Sequence, residues 1–331
     1  MKKSFQLDLP QRPRRLRANS WIRSCVSETH LEASNFVYPV FVQQGVKKET
    51  PIASMPGQSR LSKDLLFKKI ELSLKLGVQA IALFPYYNEG QKDPLALESH
   101  NQKGFLPQLI TSIKKEFPEV NIISDVAMDP YSSDGHDGIV EKGEILNDES
   151  IEVLIKMALT QAKAGVDWVA PSDMMDGRIG AIRQALDLSG FQRVGIISYS
   201  AKYASAFYGP FRDALDSSPR SGDKKTYQMN PANSHEALRE ILLDIDEGAD
   251  VIMVKPGLPY LDIIKLASEV SDRPIAAYQV SGEYAMIKAA AEKGWVDEKK
   301  VMMESLLSLK RAGATMIFTY FALDAAKLLK G

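Results

Sequence analysis

Two lysines, Lys202 and Lys255, stand at the ends of strongly apolar runs that are typical of buried β-strands. Lys255 lies in Val251-Ile-Met-Val-Lys-Pro-Gly257, and Lys202 follows Val194-Gly-Ile-Ile-Ser-Tyr-Ser-Ala201. A lysine in an apolar site loses hydration, its pKa falls, and the free amine can form a Schiff base with a carbonyl. Lowering that pKa from about 10.4 to about 7.5 requires a bias of roughly 4 kcal/mol against the charged form, which a second lysine nearby would help to supply. Either lysine alone is more simply interpreted as a side chain that reaches solvent at a strand end.

Four aspartates follow the third apolar run within thirteen residues: Asp125, Asp129, Asp134 and Asp137. Carboxylates without cysteine suit a hard ion such as Mg²⁺, with water or a monovalent cation as alternatives. The spacing is not that of an EF-hand. An ordinary turn in which aspartates bond their own backbone explains it equally well, so both interpretations stay open.

Composition excludes several classes of function. The chain of 331 residues has 41 Lys+Arg against 42 Asp+Glu, a formal net charge of −1, which argues against general binding to nucleic acid or membranes. No uninterrupted apolar stretch is long enough to span a bilayer, and Met1-Lys2-Lys3 is followed by Asp8 rather than by an apolar signal segment. Cys25 is the single cysteine, which excludes an internal disulfide and a multi-cysteine zinc cage. We expect a cytoplasmic protein, or a plastid protein in a plant or alga.

Eight short apolar runs alternate with segments of helical periodicity, and Gly77, Gly165, Gly248 and Gly313 each close a helical pattern before a strand. Eight such units predict an α/β protein with a (β/α)8 TIM barrel. A doubly wound open sheet is the alternative, but no Gly-x-Gly-x-x-Gly turn follows the first run. The predicted strands are Val37–Val42, Ala80–Pro85, Asn121–Met128, Trp168–Asp173, Val194–Ser200, Val251–Pro256, Pro274–Gln279 and Met316–Phe321.

The chain adds two features to a minimal barrel. Residues 1–33 precede the barrel, which we place at 34–331, and carry the basic run Arg12–Arg17. A nuclear signal, a nucleic-acid arm and an organellar presequence are alternatives, but the near-zero net charge favours an arm for subunit contacts. The polar segment of about 203–233 follows strand five and has the place of an active-site lid. In this barrel the two lysines would lie on neighbouring strands, which are about 4.8 Å apart. Both would be at the C-terminal mouth of the barrel.

Taken together, these segments resemble the porphobilinogen synthase (5-aminolevulinate dehydratase) family. The resemblance runs in order from the arm to Thr319-Tyr320 and covers nearly the whole chain. The matching stretches are Arg12–Arg17, Asp125–Gly138, Ala170–Arg178, Ser198–Ala204, Phe207–Asp213, Met253–Asp262 and Tyr278–Glu283.

The resemblance implies a reaction in which two molecules of 5-aminolevulinate join, with loss of two waters, to form the pyrrole porphobilinogen for tetrapyrrole (haem) synthesis. Lys255 would form the Schiff base with the substrate that becomes the propionate side, and Lys202 with the acetate-side substrate. Both reactants are ketones, and an iminium is a better electron sink than a ketone.

The resemblance also implies the residues that bind the substrates. Arg212 and Lys224, with Gln228, would bind the acetate-side carboxylate from the lid, and Ser281 and Tyr320 would bind the propionate-side carboxylate. The remaining residues would line the site: Asp125, Ser172, Tyr208, Phe211 and Tyr278.

The metal pattern separates this chain from part of the family. Zinc-dependent members carry three cysteines where this chain has Ala127, Asp129 and Asp137, so no catalytic zinc is expected. The pattern resembles members in which a glutamate at the position of Glu240 holds an allosteric Mg²⁺, largely through water. Asp134 stands where many members have histidine, which leaves the ligands of this loop undefined. No role is assigned to His136.

Three other functions compete. A class I aldolase-type barrel needs a single essential lysine, whereas this chain has two. A catalytically silent scaffold predicts loss of lysines or lid residues, and a barrel lyase for phosphorylated substrates needs a glycine-rich phosphate loop that the chain lacks. The family resemblance also implies a homo-octamer whose arms wrap neighbouring subunits.

Overall fold

A closed barrel of eight parallel strands forms the centre of the protein. The computed structural model describes residues 9–330, so Met1-Lys2-Lys3 and the last residue of the predicted barrel, Gly331, lie outside the described residues. Each strand pairs in parallel with the next, and the first pairs with the last through Phe36↔Ile317 and Val37↔Phe318, which closes the sheet. The predicted TIM barrel is confirmed. The strands are β1 (Phe36–Val42), β2 (Ala80–Pro85), β3 (Asn121–Val126), β4 (Trp168–Pro171), β5 (Gly195–Lys202), β6 (Val251–Lys255), β7 (Ile275–Gln279) and β8 (Met316–Thr319).

The predicted strands coincide with the observed ones except at their ends. The sequence predicted that Lys202 follows the fifth strand. The structure instead extends β5 to Lys202, so this lysine is the last residue of the strand. Strand β8 ends at Thr319, so Tyr320 lies just beyond the strand to which it was assigned. Polar residues end an apolar pattern, but the backbone pairing continues until the neighbouring strand also ends.

Helices cover the outside of the barrel, as the apolar periodicity predicted. Four glycines follow or closely follow helix ends with φ between +86° and +128°, a conformation that avoids a Cβ clash: Gly77, Gly165, Gly248 and Gly313. The helices of eight or more residues are Lys63–Leu76, Phe105–Glu116, Asn147–Ala164, Arg178–Leu188, His235–Asp246, Leu261–Val270, Ser281–Glu292, Glu298–Ala312 and Ala322–Lys330. Among residues 9–330 no helix is long and apolar enough to cross a membrane.

The loop after β3 and the loop after β5 carry their own short elements. Residues Ile139–Glu141 and Glu144–Leu146 form an antiparallel hairpin after the aspartate-rich loop. The segment 203–233, which we call the lid segment, contains the 3₁₀ turn Ala206–Tyr208 and the helix Gly209–Leu215. An antiparallel pair, Glu49–Pro51 with Ser59–Leu61, follows β1.

Within the part of the chain that the structure describes, residues 9–30 form one compact unit and a second unit begins at Leu31; the predicted division lies after residue 33. Within the described part of this unit, a 3₁₀ helix spans Pro13–Arg17 and a helix spans Ser20–Cys25. Asn19 Oδ1 accepts a hydrogen bond from Ile22 N at 3.1 Å and caps that helix. The role of this arm in subunit contacts stays a prediction.

Candidate active site

Lys202 and Lys255 lie opposite each other across the β5–β6 pair. A register shift produces this alignment: Ile252 pairs with Ser198, but Val254 pairs with Ala201, so β5 carries one extra residue. Without this bulge Lys255 would face Ala201. Because directly paired residues of parallel strands project to the same face, both lysine side chains reach the same mouth of the barrel.

Aromatic rings surround the Lys255 ammonium, and the side chain is only 6% exposed. Its Nζ lies 4.6 Å from the ring centre of Tyr278, 5.0 Å from those of Tyr199 and Phe211, and 5.3 Å from that of Tyr208. Burial first, and then the charge of Lys202, lower the pKa of Lys255 to about 7 against the opposing charges of three aspartates. The low pKa of Lys255 favours the free amine over the ammonium ion more than that of an ordinary lysine does.

Lys202 has a polar environment instead. Its ammonium donates a hydrogen bond to the backbone oxygen of Ser172, which follows β4, and lies 3.8 Å from Asp137 Oδ2. Its distance to the ring centre of Tyr199 is 6.0 Å. The two adjacent lysines thus differ, one in an aromatic environment and the other beside a carboxylate.

Asp125, near the end of β3, faces both lysines. Its Oδ1 is buried without a hydrogen-bond partner among the described residues. Burial and then the charge of Asp129 raise the pKa of Asp125 to about 7, although Lys202, Lys255 and a hydrogen bond from Ser172 oppose the rise. A carboxyl group that titrates near neutrality beside two amines can accept and return protons.

The ammonium of Lys224 lies between two carboxylates of the loop after β3. Its Nζ is 3.2 Å from Asp129 Oδ2 and 3.1 Å from Asp137 Oδ2, and all three side chains are buried. Burial lowers the pKa of Lys224, but the two aspartates outweigh it and hold the pKa above its usual value. Burial raises the pKa of Asp137, yet Lys202 and Lys224 lower it to about 2. Burial and the Asp137 charge raise the pKa of Asp129, and together they outweigh Lys224 and Lys202, which lower it.

Backbone hydrogen bonds attach the lid segment to both lysines. Met229 N donates to Lys202 O at 3.0 Å, and Tyr203 N donates to Lys255 O at 3.0 Å. The half-buried Arg212 lines the cavity, and in residues 9–330 it forms no ion pair with a carboxylate. A narrow cavity is lined by eight of the predicted site residues: Asp129, Lys202, Tyr208, Phe211, Arg212, Lys224, Gln228 and Lys255.

The predicted propionate-side residues lie at the ends of β7 and β8. The hydroxyls of Tyr278 and Tyr320 are 3.1 Å apart, and both side chains are buried. Ser281 Oγ accepts a hydrogen bond from Phe211 N at 2.9 Å, so this hydroxyl is bound to the lid backbone. At Gly282 a Cβ would lie 2.4 Å from Phe207 O, which shows how closely the lid packs on this end of β7.

Glu240 lies apart from the two lysines. It is on the helix His235–Asp246 and lines a second cavity, where Glu144, Asp176 and Glu236 also contribute carboxylates. Burial raises the pKa of Glu240 in spite of Arg178, and neighbouring carboxylates raise it further. Gln228 lines both cavities, so the two are adjacent.

A buried ion pair attaches the helix of Glu240 to β5. Arg178 Nη1 donates to Asp244 Oδ1 at 2.9 Å, and Arg178 Nη2 donates to Tyr199 O at 3.3 Å. Arg178 is 2% exposed and Asp244 is 1% exposed. This pair therefore connects the backbone beside Lys202 with the wall of the second cavity.

The donor sets of the loop after β3 do not fit zinc. Ala127 offers a methyl group, and Asp129 and Asp137 are bound to Lys224. In the part of the chain that the structure describes, no three or more His, Cys, Asp or Glu side chains converge as direct metal ligands. The carboxylates around Glu240 suit a hard cation held through water.

Sequence reasoning missed two contributors. Tyr199 precedes Lys202 by three residues in β5, and its ring lies beside both lysines; its place in an apolar run gave no signal. Glu283 belonged to a matching stretch but received no role. His136, which also had none, bridges to the lid segment, since its Nδ1 lies 3.1 Å from Tyr227 Oη and its Nε2 lies 2.9 Å from Ser221 O. The backbone oxygen of Asp134 accepts from Arg220 N at 2.9 Å.

Known proteins match the chain along nearly its whole length. Residues 10–328 match the family described as delta-aminolevulinic acid dehydratase. The chloroplastic delta-aminolevulinic acid dehydratase of Glycine max is 56% identical over 327 residues, covering 98% of this chain and 79% of that protein. The enzyme of Bradyrhizobium diazoefficiens is 52% identical over 325 residues, covering 98% and 92%.

A solved structure agrees with this match. The crystal structure of the Toxoplasma gondii delta-aminolevulinic acid dehydratase (porphobilinogen synthase), in complex with the reaction product porphobilinogen, superposes with a TM-score of 0.96. It is 52% identical, and the match covers 98% of this chain and 92% of that one. The chain belongs to the delta-aminolevulinic acid dehydratase family, the porphobilinogen synthases, which are hydro-lyases of tetrapyrrole biosynthesis.

Proposed function

We propose that Lys202 and Lys255 each form a Schiff base with one molecule of 5-aminolevulinate and that the two bound molecules condense to porphobilinogen. The observation that carries this proposal is the direct pairing of two buried lysines at the barrel mouth. An aldolase-type reaction needs one such amine. Burying a second lysine beside it would lower stability without contributing to that reaction.

Lys255 binds the propionate-side substrate. Its amine attacks the ketone carbon, a carbinolamine forms, and loss of water gives an iminium. The low pKa of Lys255 supplies the free amine that this step requires. The aromatic rings around Nζ exclude water and accept the positive charge of the iminium through cation–π contact.

Lys202 binds the acetate-side substrate in the same way, with Asp137 near enough to stabilise the charge of its iminium. Asp125 is the group that moves protons between the two bound substrates, because it faces both lysines and titrates near pH 7. One iminium promotes removal of a C–H proton, and the other promotes attack on the second substrate. The balance is two substrates to one porphobilinogen and two waters.

The substrate carboxylates are held at opposite sides of the cavity. Arg212 is the main group for the acetate-side carboxylate, since it lines the cavity without an ion-pair partner in the described chain. Lys224 uses two of its three N–H donors on aspartates and keeps one for that carboxylate. Gln228 lines the same cavity and would donate to the carboxylate from its side-chain NH₂ group. Ser281 and Tyr320 bind the propionate-side carboxylate. The walls come from Ser172, Tyr208, Phe211 and Tyr278.

Magnesium is the proposed metal, at Glu240 and held largely through water. Glu236 and Asp176 are the neighbouring carboxylates that would share it. Mg²⁺ supplies positive charge that neutralises this cluster, and no step of the reaction passes through it. A monovalent cation at Asp129 and Asp137 is the alternative use of those carboxylates and competes with Lys224. Stoichiometric zinc in the active purified protein, measured by mass spectrometry of the metals, would overturn the proposal of a zinc-free site.

The assembly and compartment follow the same resemblance. We expect a homo-octamer built through residues 1–33, with no nucleic-acid or membrane partner. The proposed compartment is the cytoplasm, or the plastid in a plant or alga, as the name of the Glycine max relative indicates for that protein. Sedimentation analysis of the full chain and of a chain lacking residues 1–33 tests the assembly: full-length particles no larger than the truncated ones contradict it.

The deciding experiment combines product formation with borohydride trapping. Wild type, Lys202→Ala and Lys255→Ala are incubated with 5-aminolevulinate, reduced with borohydride and mapped by peptide mass spectrometry. Porphobilinogen from wild type, an adduct on Lys255 and little turnover in either variant support the two-lysine mechanism. A wild type that traps the ketone on one lysine without forming product supports the aldolase alternative. If the wild type forms no product and no adduct, the silent scaffold is supported.

A further inference from the structure

Glu283 is a buried carboxylate that binds the backbone at the ends of two neighbouring strands. It lies in the first turn of the helix Ser281–Glu292, after β7, and is 1% exposed. Its Oε2 accepts from Val280 N at 2.7 Å, and its Oε1 accepts from Leu258 N at 2.7 Å. Oε2 also lies 3.3 Å from its third donor, Gly257 N.

No cation compensates this carboxylate. In residues 9–330 Glu283 has no ion-pair partner; its hydrogen-bond donors are backbone amides. Burial raises the pKa of Glu283 to about 7, and the three amides lower it only in part. Three backbone amides offset part of the cost of burying this carboxylate, so the reason for its presence is sought in the segments to which those amides belong.

The three amides indicate that reason. Gly257 and Leu258 come two and three residues after Lys255, and Val280 immediately precedes Ser281. The loop after β6 also packs tightly on β7, because a Cβ at Gly257 would lie 2.8 Å from Leu309 Cδ2 and 3.2 Å from Tyr278 O. One carboxylate thus fixes the chain that leaves Lys255 relative to the chain that leads into Ser281.

We infer that Glu283 is a positioning residue for the propionate-side substrate. It sets the distance between the amine of Lys255, which bonds the ketone carbon, and Ser281, which binds the carboxylate at the other end of the same molecule. This inference rests on the proposed roles of Lys255 and Ser281. It goes beyond them, because Glu283 binds backbone amides and is not proposed to contact the substrate. A keto acid of fixed length forms the Schiff base readily only when these two ends of the site are correctly spaced.

The test compares Glu283→Gln, Glu283→Asp and wild type, each also in a Lys202→Met background in which turnover is absent and Lys255 is studied alone. Glutamine replaces one acceptor oxygen with an NH₂ group, which cannot accept the hydrogen bond of the backbone N–H that it faces. Aspartate keeps the charge and reaches Val280 N within its own turn, but it is too short to hold Leu258. Glu298→Gln is the matched control: Glu298 accepts a hydrogen bond at 2.7 Å from Lys288, which is on the helix of Glu283, and it does not bind the backbone at Gly257 and Leu258.

The readouts are the concentration of 5-aminolevulinate that half-saturates borohydride trapping on Lys255, the kcat of porphobilinogen formation with the KM for 5-aminolevulinate, and the Tm. We expect both Glu283 variants to raise the half-saturating concentration about tenfold, with KM rising in parallel, while Glu298→Gln changes it less than twofold. If glutamine prevents folding, aspartate still decides the question. Trapping on Lys255 that stays within twofold of wild type while Tm falls would overturn the inference and leave Glu283 a structural cap. A wild type that forms no porphobilinogen would instead overturn the proposed function, and trapping on Lys255 would still distinguish the variants.

Discussion

The ammonium of Lys202 lies 3.8 Å from a carboxylate oxygen of Asp137, whereas the ammonium of Lys255, its partner across the strand pair, lies among aromatic rings. Two lysines of the same local sequence type therefore have different chemistry. The charge beside Lys202 comes from the loop after β3, and the rings around Lys255 come from β5, β7 and the lid segment. The first prediction follows from this asymmetry.

Schiff-base formation on Lys255 should depend on pH with a midpoint near 7. Its pKa is lowered to about 7, so the reactive amine is present above that pH and lost by protonation below it. In Lys202→Met the neighbouring positive charge is gone, and the midpoint should move to a pH about 1 higher. The measurement is the initial rate of borohydride trapping on Lys255 between pH 5 and about 9. An unchanged midpoint in Lys202→Met contradicts the electrostatic coupling of the two lysines.

Asp125→Asn should lower kcat by about 10² to 10⁴-fold, the range for removal of a positioned proton donor or acceptor. The substitution keeps the shape of the side chain, so the adduct on Lys255 should still form. Because the Asp125 charge raises the pKa of Lys255, the midpoint for trapping should also fall below that of wild type. Loss of the adduct together with turnover would indicate a structural role for Asp125 instead.

Lys224→Met should lower kcat/KM by about 100-fold. The change removes a charge-assisted hydrogen bond to the acetate-side carboxylate, worth about 1.5–3 kcal/mol, and 1.4 kcal/mol corresponds to a factor of ten. It also leaves Asp129 and Asp137 buried without their shared cation, which lowers the free energy of unfolding. Added K⁺ or Mg²⁺ should restore part of the activity if a cation can replace the ammonium. The matched control is Lys225→Met, because the Lys225 side chain is 75% exposed and pairs with Asp223 at the surface. Equal losses in the two variants would show that the buried pair is unimportant.

Glu240→Gln should weaken the response to Mg²⁺ while leaving both lysines reactive. Wild-type activity and particle size, measured by turnover and by sedimentation, should be higher with Mg²⁺ than with a chelator. The variant should need at least tenfold more Mg²⁺ for the same change, since one anionic ligand of the cluster is lost. Wild type that shows no difference between Mg²⁺ and chelator in either measurement rules out the magnesium proposal.

Arg178→Met should lower the free energy of unfolding by about 3–5 kcal/mol. It leaves the buried Asp244 without the guanidinium that neutralises it. The measurement is urea unfolding at one protein concentration. Glu269→Gln is the control: it breaks the pair with Lys265, in which both side chains are more than half exposed, and should cost less than about 1 kcal/mol. Similar losses in both variants would contradict the importance of burial.

The sequence by itself determined the barrel and singled out the two lysines proposed as the reactive residues. Apolar runs and C-terminal glycines gave the eight strands and helices because backbone periodicity is a local property. The two lysines were identifiable because lysine is rare in an apolar strand. The predicted ends of β5 and β8 differ by two residues from the observed ends, because the end of a strand depends on where the neighbouring strand ends.

The tertiary structure alone decided which groups meet. A one-residue bulge in β5, set by pairing with β6, brings Lys202 opposite Lys255. The contact of Lys224 with Asp129 and Asp137 joins residues 95 and 87 positions apart, and no local pattern encodes such a distance. Glu283 binds amides 25 and 26 residues away, where any sequence presents the same N–H groups. Side-chain types were therefore predictable, but their partners were not, because contacts and pKa values depend on which segments the fold brings together.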